Sequence, residues 1–295
     1  MLNIQTCPRK DLGLLYVTGN DARVFLHAQS TQEINDLPAT ETRLAAWLSA
    51  KGRVRALFDV VPAGDSFWLI TPADNIDWLA QQLSLFILRS DVGLEMVEHT
   101  AVYSLCGEAN EWLSGHGIDL GQHGVVCRDD ALWLRESPGC INVIAKPDRL
   151  TTAFAGLASC EPDRAVLAAI ATGRPDMPAT LRERYIPQML NLQRLGAVSF
   201  NKGCYPGQEI VTRTEHRGSV KRSLQRYRID RGARPQAGDA IVDSKGLSTG
   251  EINRVAASTD GFELLAVVSD DTGSGELMIQ ADSRRLERLA LPSET

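Results

Sequence analysis

The stretch Phe200-Asn201-Lys202-Gly203-Cys204-Tyr205-Pro206-Gly207-Gln208-Glu209-Ile210-Val211-Thr212-Arg213 holds the densest chemistry in the chain. Gly203 and Gly207 open backbone conformations closed to other residues and let a ligand approach the main chain. Pro206 is placed to open a short helix running through Val211. Such a helix start would aim free N–H groups and a partial positive charge back at Cys204. With Lys202 two residues away, these features would favour a reactive thiolate at Cys204. Cys204 and Lys202 are therefore the catalytic candidates. The competing reading is a quietly packed thiol beside a solvated amine. Gln208 can hydrogen-bond a flat heterocycle on two edges, and Tyr205 can stack on one. Glu209 and Arg213, four apart, share a helix face, the spacing of a weak surface ion pair.

The residues that follow are basic: Arg217, Lys221, Arg222, Arg226, Arg228, Arg231 and Arg234, with Glu215 and Asp230 against them. On a strand Arg222, Arg226 and Arg228 would share one face. That face could hold a carboxylate tail, a phosphate or RNA, or simply be solvated.

The elements that must position this stretch follow from periodicity. Strands are expected at 13–18, 44–48, 54–61 and 67–70, with Ala50-Lys51-Gly52-Arg53 as a hairpin turn. Asn20 or Asp21 caps a helix that would bury Val24, Phe25 and Ala28, and Gln29-Ser30-Thr31-Gln32 follows as a polar turn. Asp74 precedes a helix with Leu79, Leu83 and Phe86 on one side. The pattern restarts near residue 100, with strands at 101–105, 125–126, 131–134 and 141–144 and a helix over 148–157. A second, well-buried helix runs from Pro162 to Gly173. From Lys221 onward, short strands separated by turn residues suit a small β-barrel of about 70 residues. A domain boundary near Gly218 to Arg222 follows.

Bulk properties exclude several classes. The 295 residues suggest roughly two domains, and 43% hydrophobic content is enough for real cores. The net charge of −6 argues against a general nucleic-acid coat or a membrane-surface binder. No run approaches the ~20 apolar residues of a membrane span, and the N-terminus lacks the layout of a signal peptide. The expectation is a cytoplasmic monomer with no membrane contact. The six cysteines are Cys7, Cys106, Cys127, Cys140, Cys160 and Cys204. None has metal-ligand spacing, so no metal is assigned, and the first five read as small buried hydrophobes.

Lys202-Gly203-Cys204-Tyr205-Pro206-Gly207-Gln208-Glu209 resembles the Lys-Gly-Cys-Tyr-x-Gly-Gln-Glu signature of the YgfZ family, folate-binding proteins related to the T-protein (aminomethyltransferase) of the glycine cleavage system. Ile186-Pro187-Gln188, Val198-Ser199-Phe200, Arg213 and Arg217-Gly218 fit the flanks of that signature. Val17-Thr18-Gly19, Gln29-Ser30-Thr31 and Lys51-Gly52-Arg53-Val54 fit near the start. The resemblance implies an α+β fold. Two interleaved α+β folate-binding domains span 1–220, subdivided near 45–100 and 101–160, and a C-terminal β-barrel spans 221–295. Together they form a ring around a central channel.

The resemblance also implies tetrahydrofolate or a one-carbon derivative as cofactor. Tyr205, Gly207, Gln208, Glu209, Arg213 and Arg222 would be the cofactor-binding candidates. It further implies a role in assembling or repairing iron–sulfur clusters, serving client proteins or assembly factors, including tRNA-modifying enzymes. Cys204 would be the functional thiol. Two departures stand out. The acidic pair of the transferases is replaced by Arg55-Ala56-Leu57-Phe58, with Asp59 the nearest carboxylate. Where many relatives read Glu-x-Gly-x-Pro, this chain has Ala171-Thr172-Gly173-Arg174-Pro175, leaving Asp176 or Glu183 as substitutes. No tryptophan lies near residues 12 or 165, where folate contacts are expected. Whether turnover occurs is left open. The alternatives are a folate-dependent aminomethyl transferase and a tRNA-contacting module using residues 213–234.

Overall fold

The computed structural model describes residues 4–97, 99–121, 124–128, 130–218, 220–272 and 275–292. The first three residues, and the side chain of Arg217 from the basic run, lie outside the described residues. In chain order the elements are β1 (Ile4–Pro8), β2 (Leu12–Thr18), α1 (Ala22–Gln29), β3 (Arg43–Leu48), β4 (Val54–Ala63), β5 (Ser66–Pro72), α2 (Ile76–Ser84), β6 (Gly93–Met96), β7 (Ala101–Gly107) and α3 (Ala109–Gly115). Then come β8 (Val125–Arg128), β9 (Ala131–Ser137), β10 (Cys140–Ala145), α4 (Pro147–Ala153), β11 (Ala158–Ser159), α5 (Asp163–Ala171) and α6 (Gln208–Arg217). The chain ends in β12 (Arg222–Asp230), β13 (Ala240–Asp243), β14 (Ser248–Ser258), β15 (Gly261–Ser269), β16 (Leu277–Ile279) and β17 (Glu287–Leu289).

These strands form three sheets, so the fold is α+β. The first has order β3-β4-β5-β2-β6, the second β11-β1-β7-β10-β9-β8 and the third β16-β13-β14-β15-β12-β17. The chain begins in the second sheet, leaves to build the first, and returns at β7, where Gln5 pairs with Cys106. In the third sheet a register shift between Ile252 and Arg254 bends β14. Its edges then meet: Leu286 N–H donates to Leu277 O at 2.8 Å and Ile279 N–H to Arg284 O at 2.9 Å. The interior of this curled sheet is filled by Tyr227, Ile229, Ile241, Ile252 and Leu264.

Helices α1 and α2 cover one face of the first sheet, with Phe25, Leu26, Leu79 and Leu83 packed on Leu15, Trp47 and Phe67. The expected face of α1 is corrected here. Val24 is 61% exposed and Ala28 is exposed, while Ala22, Phe25 and Leu26 are the buried residues. The sheet lies on the 22/25/26 side, a choice the helical period alone does not make. Helix α2 stops at Ser84, which leaves Phe86 beyond its end and partly exposed. The expected helix over 148–157 ends at Ala153.

The first and second sheets meet through Leu14, Val61 and Ile70 against Val102, Leu134 and Ile144. A larger shared core joins Leu57 of β4 and Ile170 of α5 to Leu181, Leu190 and Tyr205, and then to Leu224 and Leu265 of the third sheet. The irregular segment 174–206 runs through this core. Its turns are satisfied locally, as where Asn191 takes a left-handed conformation at φ 56°. Buried side chains of this segment, among them Leu181, Tyr185, Leu190 and Leu192, pack with Tyr205 in that core, each worth roughly 1.5–3 kcal/mol.

Candidate functional site

The motif segment is docked by two glycines that face each other. Gly207 has φ 78° and is the N-cap of α6. A Cβ there would stand 2.5 Å from Ser49 O and 2.7 Å from Gly52 Cα. Gly52 has φ +69°, and its own Cβ would stand 2.9 Å from Ile210 Cβ. The first turn of α6 therefore rests directly on the β3–β4 hairpin, and no side chain fits between them. The helix begins at Gln208, two residues after Pro206, and continues to Arg217 instead of ending at Val211. Val211 is buried, and its carbonyl accepts from Gln188 Nε2 at 2.9 Å.

Lys202 is engaged away from the thiol. Its ammonium donates to the carbonyls of His27, Ser30 (2.7 Å) and Gln32 (2.9 Å). It thereby ties the motif to the end of α1 and the polar turn after it. Burial pulls this amine down to about 8, with Glu33 acting the other way. Its Nζ also sits 5.1 Å from the centre of the Tyr205 ring. Tyr205 is buried, and its hydroxyl has no partner among the described residues.

Cys204 is exposed, and Gly203 lies beside the His27 ring, which pairs with Glu33 at 2.8 Å. Gln208 is half-buried, while Glu209, Arg213 and Arg222 are exposed. Among the described residues no ion pair joins Glu209 to Arg213. Seven of the eight predicted residues thus share one segment, and Arg222 stands apart at the start of β12.

A second region has the opposite character. Between the first sheet, the second sheet and the 172–176 segment lies a cleft of about 900 Å³, lined by Gln32, Arg43, Asp59, Glu136, Ser137 and Arg174 among others. It shares Asp59, Glu136 and Arg174 with a smaller chamber that reaches Asn142, Asp176 and Arg254. None of the predicted motif residues lines either space.

The charges in this region are paired. Arg174 donates to Asp59 Oδ2 at 2.6 Å. The fully buried Arg9 donates to Glu136 at 3.2 Å, to Ser104 Oγ at 3.0 Å and to Asp11 Oδ2 at 2.8 Å. Ser104 in turn donates to Asn142 Oδ1 at 2.6 Å. Burial raises the Asp59 carboxyl above its usual range, with Arg174 opposing. Burial also acts upward on Glu136, but Arg9, Arg174 and Arg254 outweigh it and bring the carboxyl down to about 2. Three polar atoms here lack partners among the described residues: Ser137 Oγ, Asn142 Nδ2 and Arg254 Nε. Buried polar atoms are rarely left unpaired, so this is a place where a polar ligand or water would be held.

Of the positions that differ from the aminomethyltransferase pattern, Asp59, Leu57 and Arg174 line this cleft or its inner chamber, and Arg55 and Ala171 line neither. Asp59 faces the cleft from β4, locked to Arg174. Arg55, where the acidic pair would begin, stacks over Trp47 at 4.3 Å and pairs with Glu183 at 3.0 Å. Asp176 reaches the inner chamber and Glu183 does not. Glu136, Arg9, Asn142 and Arg254 escaped the sequence reading. Asn142 alone carries a local signal, a lone polar residue in the otherwise apolar strand Cys140–Ala145; Arg9, Glu136 and Arg254 sit among other polar residues or outside a strand.

The basic run is largely neutralised by residues distant in sequence. Arg226 pairs with Glu263 at 2.6 Å, Arg228 with Glu287 at 2.8 Å and Arg234 with Asp163 at 2.6 Å. Arg231 donates to Thr259 O at 2.7 Å.

No protein-family model matches the chain. Over 271 residues it is 27% identical to the tRNA-modifying protein YgfZ of Aliivibrio fischeri, covering 88% of this chain and 84% of that protein. Over 282 residues it is 29% identical to the tRNA-modifying protein YgfZ of Cronobacter sakazakii, covering 91% and 85%. The chain is a homologue of the YgfZ proteins. Its fold matches that of the glycine cleavage system aminomethyltransferase T from Bartonella henselae with a TM-score of 0.78. That match covers 98% of this chain and 86% of the other at 15% identity, and it identifies the aminomethyltransferase fold. The segment that carried the resemblance to YgfZ is the one wedged onto the β3–β4 hairpin through Gly207 and Gly52. Among the described residues no helix is long and apolar enough to cross a membrane.

Proposed function

We propose that this chain binds a reduced folate in the cleft between its sheets, and that it supports iron–sulfur proteins connected with tRNA modification through the thiol of Cys204. The observation that carries the reading is the cleft of about 900 Å³ lined by Asp59, Glu136 and Ser137, whose Oγ has no partner among the described residues, with the unpartnered Asn142 Nδ2 and Arg254 Nε at the small chamber of about 20 Å³ behind it. A pterin ring offers both donors and acceptors on its edges, which suits an amide, a hydroxyl and carboxylates. Its anionic tail suits the side of the cleft at Arg135, whose partners are the neutral Gly121 carbonyl and Asn110 side chain. When bound, a reduced folate supplies a carrier for one-carbon units. The chain's own residues would hold and orient it and exclude water.

The name shared by the relatives supports the connection to tRNA modification. The exposed thiol of Cys204 suits contact with a partner or with its cluster. One cysteine supplies one ligand, so further ligands would come from that partner. The aminomethyl-transfer alternative is disfavoured because Asp59 is bonded to Arg174 and the acid nearest it across the cleft, Glu136, is bonded to Arg9. The tRNA-contact alternative is disfavoured because Arg226, Arg228 and Arg234 are paired with carboxylates and Arg231 is bonded to the Thr259 carbonyl.

The reading is tested by anaerobic calorimetry with tetrahydrofolate on the full chain. Binding that is weakened by Asn142→Leu and unchanged by Cys204→Ala is the expected result. No heat of binding with any reduced folate would sink it. In cells lacking the protein, Cys204→Ala should fail to restore the activity of iron–sulfur enzymes. Full restoration by that variant removes the thiol from the reading.

A further inference from the structure

The second sheet gathers cysteines that are far apart in sequence. Cys7 is on β1, Cys106 is on β7, and Cys160 directly follows β11, so the three come from strands that lie side by side in the order β11-β1-β7. Their sulfurs all lie within 4.8 Å of one another. Cys140 of β10 stands directly opposite Cys106 in the ladder. Four of the six cysteines therefore occupy one patch of core, under Ala165 and Ala168 of α5. Alanines at these positions leave the thiols in contact with one another instead of separating them with larger side chains. Cys127 and Cys204, by contrast, are exposed and apart.

We propose that Cys7, Cys106 and Cys160, with Cys140 beside them as the fourth thiol, form a binding site for a single thiophilic divalent ion of the zinc class. A zinc–sulfur bond of about 2.3 Å places thiolates on one ion about 3.8 Å apart. Sulfurs already within 4.8 Å need only a small inward movement to reach that spacing. An all-sulfur set of three or four ligands selects such an ion over magnesium or calcium. A polynuclear iron–sulfur cluster fits less well, because it spreads its thiolates over separate irons and needs room for bridging sulfides. Here the fully buried Ala165 packs against the sulfurs.

Two cationic side chains, Arg9 and Arg164, lie in electrostatic reach of Cys7 and Cys160. Cys160 is only half-buried, which gives an ion a way in. Cys140 also links this patch to the cleft, since its Sγ lies 3.5 Å from Glu136 Oε2. None of this depends on the folate reading.

The experiment uses the full chain carrying Cys127→Ser and Cys204→Ser, reduced and freed of metal, titrated anaerobically with cobalt(II) as a coloured stand-in for zinc. Sulfur-to-cobalt charge-transfer absorption saturating at one ion per chain, and bleached by added zinc, is the expected result. Cys160→Ser, the least disruptive change because that residue is nearest to solvent, should weaken cobalt binding by about tenfold or more, as loss of even an outer-shell partner commonly does. Added zinc should also raise the thermal midpoint of the metal-free protein. Absence of the charge-transfer bands, or a titration unaffected by Cys160→Ser, overturns the site and leaves the four cysteines as packing residues. A disulfide among them in the protein as purified overturns it as well.

Discussion

The exposed motif and the buried cleft use their side chains in opposite ways. In the motif, Cys204, Glu209 and Arg213 are at the surface, Lys202 is committed to three backbone carbonyls, and Tyr205 is buried with its hydroxyl unpartnered among the described residues. Its glycines matter because they lack side chains, which lets α6 touch the hairpin. In the cleft, the side chains are hidden, charged and mutually paired, and the residues left over are polar atoms with nothing to bond. A dense local signature thus marks the place where the chain is anchored and presents a thiol. The chemistry suited to a small ligand is dispersed over β4, β9, β10, β14, the segment after α5 and Arg9, which follows β1. The two regions are joined mechanically. Lys202 bonds Gln32 O, and the Gln32 side chain lines the cleft.

The comparison breaks most sharply at Arg174. Arg174→Leu leaves the buried Asp59 without its partner and should cost about 3–5 kcal/mol of stability, measured by urea unfolding. A loss under about 1 kcal/mol would show that the cleft tolerates an unpaired carboxylate. Next is Gly207→Ala, which adds both a left-handed strain and a contact at 2.5 Å with Ser49 O. It should cost about 2 kcal/mol or more, and Gly52→Ala should behave alike because the same contact is lost from the other side.

The third prediction concerns pH. Glu136 is held at about 2 in the folded chain against an ordinary 4.5. The unfolded chain therefore takes up this proton first as the pH falls. The stability that Glu136 contributes is complete above about 4.5 and is lost as the pH drops toward about 2. The difference in unfolding midpoint between the wild type and Glu136→Gln should accordingly shrink over that window. A constant difference would mean that the carboxylate is not held in the buried ion pairs. The smallest effect is expected at Cys204. Cys204→Ala should leave stability within about 0.5 kcal/mol of wild type, so any loss of function in that variant belongs to the thiol and not to the fold.

Most strands of the three sheets are legible because alternating or continuous apolar runs are local signals, as in Val54–Ala63 and Phe67–Ile70. The sequence does not announce β1, which contains Pro8, the short β6, β11 and β17, α3, whose Ala-Asn-Glu-Trp opening has no clear stripe, or the 11-residue β14, whose Ser-Thr-Gly-Glu opening and Asn253-Arg254 interrupt its apolar pattern. The start of α6 was placed too early because Pro206 signals a first helical turn, whereas the left-handed Gly207 resets the backbone before the helix begins. The basic run looked like a polyanion face because its partners, Glu263, Glu287 and Asp163, lie 37 to 71 residues away in sequence.

The sequence by itself determined the position of the motif and, through the family resemblance, the α+β class, since a dense local signature is read directly off the chain; the contact that requires glycine at both 52 and 207 is tertiary. Tertiary structure alone decided which residues meet. It brought Arg9 to Glu136, Asp59 to Arg174, Lys202 to three carbonyls, and Cys7, Cys106 and Cys160 to one another. Strand order and crossover connections control those distances, and no spacing along the chain encodes them. The same physics explains why the exposed motif was easy to find and the buried cleft was not. A surface segment carries its special residues in a row, whereas a cavity between sheets takes one residue from each strand.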